Sequence, residues 1–263
     1  MTQAPLHVSA LMKSPVLSVK PDTPLDKIYQ LLGSQRISSV PVVDDGGKPI
    51  GVVSMTDLLR VGRLQPASLA GVQAIELPSE PASEHMHAGV ITIAADALVT
   101  HAARIMVDSH VHRVYVEDGG RLAGVFSIEE VLASVRSLRI ERAIATVMSH
   151  PVITLPVTAS LADAASRLDR VGVTGVAILD EFGYPVGAFT QVEALASRDL
   201  SPNTRIEEVM SYGLVLQHVN TPLYRAAAYA FEARARRVFA MDNGDLRGVV
   251  TGLDFARALA ALA

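Results

Sequence analysis

The sequence predicts an α/β protein in which one β-α-β-β-α unit is used four times. A phrase of glycine, two apolar or small residues, a hydroxyl, two further residues and a carboxylate recurs along the chain. It reads Gly51-Val-Val-Ser54-Met-Thr-Asp57, Gly124-Val-Phe-Ser127-Ile-Glu-Glu130, Gly187-Ala-Phe-Thr190-Gln-Val-Glu193 and Gly248-Val-Val-Thr251-Gly-Leu-Asp254. Its glycines lie 73, 63 and 61 residues apart. A methionine precedes each of them by 39, 38, 39 and 38 residues, at Met12, Met86, Met148 and Met210. Self-similarity on this scale sets the architecture and points to binding before catalysis.

Each unit continues from its methionine into a short extended piece, such as Val16-Leu-Ser-Val or Val152-Ile-Thr-Leu. A helix follows. In the first unit Thr23 suits an N-cap, Pro24 the first helical position and Asp26 the third. Leu25, Ile28, Tyr29 and Leu32 then share a face at helical spacing. Thr221 and Pro222 repeat the start before Leu223, Ala226, Ala227 and Ala230. Leu161, Ala164, Ala165 and Leu168 take that face in the third unit, and Leu98, Ala102 and Ile105 in the second. Two apolar runs around Asp-Gly, Phe-Gly or Asn-Gly turns predict a hairpin, after which the hydroxyl opens a second helix. The spacing places units over residues 8–62, 84–138, 139–200 and 201–263, with a Pro-rich linker over 63–83. The linker is read as carrying some helix near 67–74, and 128–148 as one continuous helix.

Composition narrows the function. The hydrophobic fraction of 49% supports a packed core, and 5% aromatic residues without Trp leave few platforms for stacking bases. A net charge of −4 argues against nucleic acid as a partner. With no cysteine there is no disulfide, thiolate metal site or Cys nucleophile. The start carries no secretory pattern, and Asp96, His101 and Arg104 interrupt the most apolar stretch, 88–107. A soluble, cytoplasmic protein without membrane association is expected.

Ser/Thr-x-x-Asp/Glu before a helix is first of all a capping box. Glu130 and Glu193 suit it best; the shorter Asp57 and Asp254 suit it less well. The same geometry can bind a ligand. A helix N-terminus after a glycine-bearing strand offers free amides to a phosphate, and a short carboxylate can hold both ribose hydroxyls. Four copies in register, each after a hairpin, resemble the cystathionine-β-synthase (CBS) domain family, with two tandem pairs known as Bateman modules. The resemblance covers nearly the whole chain. It implies two pseudo-twofold pairs, units 1 with 2 and 3 with 4. It also implies clefts that bind adenosine-containing ligands such as AMP, ADP, ATP or S-adenosylmethionine.

Carried over by residue, Ser54 with Asp57 and Thr251 with Asp254 match the family's phosphate- and ribose-contacting positions. Ser127 with Glu130 and Thr190 with Glu193 depart by one methylene. Basic pairs, His112-Arg113 and Arg236-Arg237, precede a strand in units 2 and 4, where units 1 and 3 have Ser38-Ser39 and Thr174-Gly175. The run around His112 resembles phosphate-binding segments of the gamma subunit of AMP-activated protein kinase, and guanidinium groups suit phosphate. Cations that follow a helix C-terminus are also favoured by its dipole. Ser18, Thr92 and Thr154, six residues after their methionines, are candidate nucleoside contacts; unit 4 has Leu216 there.

The pairs His85-x-His87 and His110-x-His112 lack a placed third ligand, so no metal is expected. No nucleophile has an adjacent base, and no cofactor is required. The expected function is a non-catalytic regulatory protein that binds AMP, ADP or ATP and signals to an unknown protein partner by conformational change. A homodimer is possible in this reading. Its rivals are an assembly scaffold with degenerate pockets and a sensor of S-adenosylmethionine or a cyclic dinucleotide.

Overall fold

The computed structural model describes residues 5–35, 37–64 and 75–262. The first unit comprises α1 (Leu25–Gln35), β1 (Ser39–Val43), β2 (Pro49–Ser54) and α2 (Met55–Val61). The short strands β3 (Arg63–Leu64) and β4 (Ile75–Glu76) pair after it. The second unit holds α3 (Ala82–His85), β5 (His87–Ala88), β6 (Thr92–Ala94), α4 (Val99–Asp108), β7 (Arg113–Asp118), β8 (Arg121–Ser127) and α5 (Ile128–Ser137). The third has β9 (Thr154–Pro156), α6 (Leu161–Val171), β10 (Gly175–Leu179), β11 (Pro185–Thr190) and α7 (Gln191–Ala196). The fourth has β12 (Val215–His218), α8 (Leu223–Glu232), β13 (Arg237–Asp242), β14 (Asp245–Thr251) and α9 (Gly252–Ala260). Units two to four place the post-methionine strand parallel to the first hairpin strand, which pairs antiparallel with the second. In unit one the corresponding piece reaches β1 only through a bridge from Val19 to Val42.

The segment around each methionine packs on the neighbouring unit. One turn of helix begins four residues before every methionine, at Val8, Ala82, Ile144 and Ile206, each with 0% exposure. Val8 enters the core of unit two and Ala82 that of unit one; Ile144 enters unit four and Ile206 unit three. Main-chain bonds hold the exchange: Val8 N–H to Ala97 O at 2.8 Å, Ala82 N–H to Thr23 O at 2.9 Å, Ile144 N–H to Thr221 O at 2.9 Å and Ile206 N–H to Ala159 O at 2.9 Å. The motif glycines explain themselves here. A Cβ on Gly51, Gly124, Gly187 or Gly248 would meet the sulfur of Met86, Met12, Met210 or Met148 at 2.3–2.6 Å. Each glycine is the seat of the partner unit's methionine, and this reciprocity builds the pairs 1 with 2 and 3 with 4.

The pairs meet most tightly through units two and four. Helices α4 with α9, and α5 with α8 and α9, pack into one core shared by both units. A Cβ on Gly252 would stand 2.6 Å from Ile128 Cγ2, so α9 and α5 approach as closely as glycine permits. Units one and three keep separate cores and meet through α2 and α7.

Several sequence expectations change. Residues 128–148 are not one helix: α5 ends at Ser137, Arg139 takes φ 48°, and a separate turn forms at Ile144–Thr146. The chain breaks there because Ile144 must enter the core of unit four. Thr23 and Thr221 are not N-caps. Pro24 and Pro222 carry the carbonyls that accept the first helical bonds, and their helices begin one residue later. Thr23 Oγ1 instead accepts from Lys20 N–H at 3.0 Å. The buried face of α4 is Val99, Ala102, Ala103 and Met106, with Leu98 40% exposed before it. On α6, Ala165 is exposed. The helix expected over 67–74 lies outside the described residues. No described helix is long and apolar enough to cross a membrane.

Candidate functional site

All four motif carboxylates reach back to their own helix start. Asp57, Glu130, Glu193 and Asp254 accept from the backbone N–H of Ser54, Ser127, Thr190 and Thr251 at 2.9, 2.7, 2.9 and 2.8 Å. Each hydroxyl also donates to the same oxygen. The expectation that aspartate caps less well than glutamate is therefore wrong for this chain. The extended backbone at each cap brings even the shorter side chain within reach.

The second carboxylate oxygen distinguishes the copies. Asp57 Oδ1 lies 2.8 Å from His87 Nε2, and Glu130 Oε1 lies 3.7 Å from Lys13 Nζ. Both partners follow an exchanged methionine, Met86 and Met12, so each arrives from the neighbouring unit. Asp254 Oδ1 accepts from Arg257 Nη1, one helical turn on, at 2.6 Å. Asp57, Glu130 and Asp254 are 7, 4 and 4% exposed, while Glu193 is half-buried. Sequence reasoning weighed His87 only as a metal ligand and overlooked Lys13 and Arg257. The residue after each methionine was the available signal for the first two.

Strand register assembles the basic residues beside these caps. The antiparallel partners of the motif hydroxyls are Ser39 for Ser54, Arg113 for Ser127, Gly175 for Thr190 and Arg237 for Thr251. Each arginine crosses to the other unit of its pair. Arg113 donates through Nη2 to Ser38 Oγ, and through Nη1 to Ser39 O at 3.5 Å. Arg237 donates through Nη2 to Thr174 Oγ1 at 3.0 Å and lies where a Cβ on Gly175 would stand. Serine, threonine and glycine at these positions make room for a guanidinium from the partner.

The two pairs also meet electrostatically. His112 is held below its ordinary value of 6.5, first by loss of water around the ring and then by the charges of Arg236, Arg113 and Arg237. Burial lowers Arg237, while Glu193 raises it against Arg236. His112, Arg113, Arg236 and Arg237 thus lie near enough to feel one another's charge, with Arg113 opposite Ser127 and Arg237 opposite Thr251 and near Glu193. Such a cluster of cations beside helix N-termini suits a multiply charged anion.

Ser18, Thr92 and Thr154 lie across the first hairpin strand from the strand that ends in the motif hydroxyl. Thr92 and Thr154 sit on β6 and β9, beside Tyr115 and Ala177. Ser18 is exposed and falls beside Pro41 of β1, whose partner on β2 is Val52, since Val19 bridges Val42 and its N–H bonds Pro41 O at 3.0 Å. It lines a cleft of about 390 Å³ with Lys20, Asp45 and, from unit two, Arg121 and Leu122. A counterpart of about 270 Å³ in unit four is lined by Leu216, Gln217, His218 and Met241, with Tyr184 from unit three. Neither cleft includes a motif hydroxyl or carboxylate. Both belong to the units whose motif ends in aspartate.

The model of the CBS domain matches residues 8–63, 82–137 and 144–197, well over half of the chain. The chain belongs to the CBS domain family. The gamma subunit of 5'-AMP-activated protein kinase of Saccharomyces cerevisiae is 30% identical over 114 residues, which cover 42% of this chain and 34% of that one. An uncharacterized protein of Methanocaldococcus jannaschii is 26% identical over 136 residues, covering 50% of this chain and 32% of its own. The chain thus spans about a third of the length of these two curated relatives. Among solved structures, a Methanocaldococcus jannaschii protein described as a candidate archaeal homolog of g-AMPK shares the fold. Its TM-score is 0.74 at 18% identity, over 96% of this chain and 99% of that one.

Proposed function

We propose that the protein is a non-catalytic, cytoplasmic sensor of adenosine nucleotides (AMP, ADP or ATP). In this reading residues 8–62, 84–138, 139–200 and 201–263 are four CBS domains forming two Bateman modules, joined by a linker at 63–83. The nucleoside would lie beside the motif carboxylates Asp57 and Asp254, which would hold its ribose, and the phosphates would reach the motif hydroxyls and the arginines. The observation that carries the reading is the pair of crossed arginines. Arg113 on Ser38 and Arg237 on Thr174 bring basic groups of both pairs beside the motif helix starts. A ligand there can act on a protein partner only if it binds two arrangements of the pairs unequally, so the output is a change in their packing.

Isothermal calorimetry against AMP, ADP, ATP, S-adenosylmethionine and cyclic di-AMP tests this. Saturable binding by one of the phosphates is expected, with one site lost in Asp57→Ala and another in Asp254→Ala. Preference for S-adenosylmethionine or cyclic di-AMP would move the assignment to that ligand. A second reading, an assembly scaffold, is favoured by the completeness of the four capping boxes and by the engagement of Asp57 with His87. It predicts no binding of any of the five, with both variants simply less stable.

A further inference from the structure

A second group of chemically active side chains lies outside that site, on the exchanged segment of unit two. Glu80, Glu84 and His85 offer one carboxylate oxygen each from the glutamates and one imidazole nitrogen, all within 4.8 Å of one another. His85 Nε2 already contacts Glu80 Oε2. The His85 side chain is 21% exposed and that of Glu80 45%, while Glu84 is exposed. Two features hold the group in place. Glu80 O accepts Leu25 N–H at 3.0 Å, and Met86 N–H closes α3 onto Ala82 O at 2.8 Å. The donors therefore stand on backbone pinned to unit one.

The repeat itself does not call for these residues. The position before the methionine is Leu11, Val147 and Val209 in the other three units, and each packs against an apolar core. Only unit two has a histidine there. The positions matching Glu80 and Glu84 are Leu6 and Ala10, Arg142 and Thr146, and Thr204 and Glu208, so no other unit reproduces the set. Unit two therefore places an imidazole in a half-buried position that is apolar in the other units, and there it faces two carboxylates.

From this juxtaposition we propose that Glu80, Glu84 and His85 bind a divalent first-row metal ion, with Zn²⁺ the best match. One imidazole nitrogen and two carboxylate oxygens are ordinary zinc donors at about 2.0–2.2 Å. In a tetrahedral shell such ligands stand roughly 3.4 Å apart, so His85 and Glu80 must part from their direct contact to admit the ion while the exposed Glu84 swings in. Water completes the shell. The ion ties Glu80 to α3 and so stiffens the exchanged segment, which main-chain bonds already hold on unit one, two residues before the His87 that engages Asp57.

The test is titration of the full-length, chelator-treated protein with Zn²⁺, read by competition with a chromophoric chelator. One saturable site is expected in the wild type, weakened at least tenfold in His85→Leu and also in Glu84→Gln. His101→Ala, a histidine on the exposed face of α4, keeps it. Leucine is the residue that unit one places at this position, so His85→Leu is expected to fold, checked by its unfolding midpoint without metal. No saturable uptake by the wild type, or uptake unaltered in His85→Leu, overturns the proposal. Nucleotide is absent throughout, so the result stands apart from the sensor reading.

Discussion

At Asp57 one carboxylate oxygen caps a helix while the other meets a histidine delivered by the neighbouring unit. Structural and ligand-facing roles thus share one side chain, and they separate by measurement. Ser127→Ala removes a cap hydroxyl and is expected to cost about 1 kcal/mol in denaturant unfolding. Asp57→Ala is expected to cost about 1–3 kcal/mol, because it leaves a half-buried Ser54 N–H without its acceptor. His112 makes a separate prediction. Its folded pKa lies below 6.5, so the unfolded chain binds the proton first. Stability is present above pH 6.5 and is lost as pH falls through and below that value. Unfolding midpoints of wild type and His112→Gln at pH 7.5 and 5.5 check this, and the variant should lose less on acidification. A polyanion at Arg113, Arg236 and Arg237 opposes the charges that lower His112, so its affinity should rise over the same fall in pH.

At the scale of elements, the recurring glycine is a socket for the exchanged methionine. Gly51→Ala is the harshest case, since its Cβ would meet His87 O at 2.9 Å as well as the Met86 sulfur at 2.6 Å. Backbone cannot step aside as a thioether can, so about 1–3 kcal/mol is expected there. In Gly187→Ala only the flexible Met210 side chain is crowded, and a smaller loss should follow. Denaturant midpoints of the two variants order them. The capping motif, the hairpin turns and the alanine-rich face of α8 were all legible in sequence, because each is a local pattern. The true start of α1 and α8 was not. Proline fits both the cap and the first turn, and only the main-chain bonds from Lys27 and Ile28 to Pro24 O decide between them.

Over the whole molecule, units two and four share one core while units one and three keep their own. Leu259, fully buried in the shared core, is expected to cost about 2–5 kcal/mol on replacement by alanine. Hydrogen exchange should report that loss in α4 and α5 as well as in α9, across both pairs. Protection confined to a change in α9 would show that the pairs unfold independently. The lighter α2–α7 contact makes the side formed by units one and three the one where ligand-driven repacking is expected.

The sequence by itself determined the four-fold unit, its β-α-β-β-α order and the capped helix starts. Each rests on a spacing or on contacts within a few residues of one another. Of the candidate site, it supplied the motif residues and the arginines, whose chemistry is visible in isolation. It did not supply their partners. That Met86 seats in Gly51, that Arg237 bonds Thr174 and that His87 meets Asp57 depend on strands and turns exchanged between units. The 128–148 stretch reads as helix because its local pattern is helical. Only the tertiary structure breaks it, because burying Ile144 in the core of unit four outweighs another turn of exposed helix.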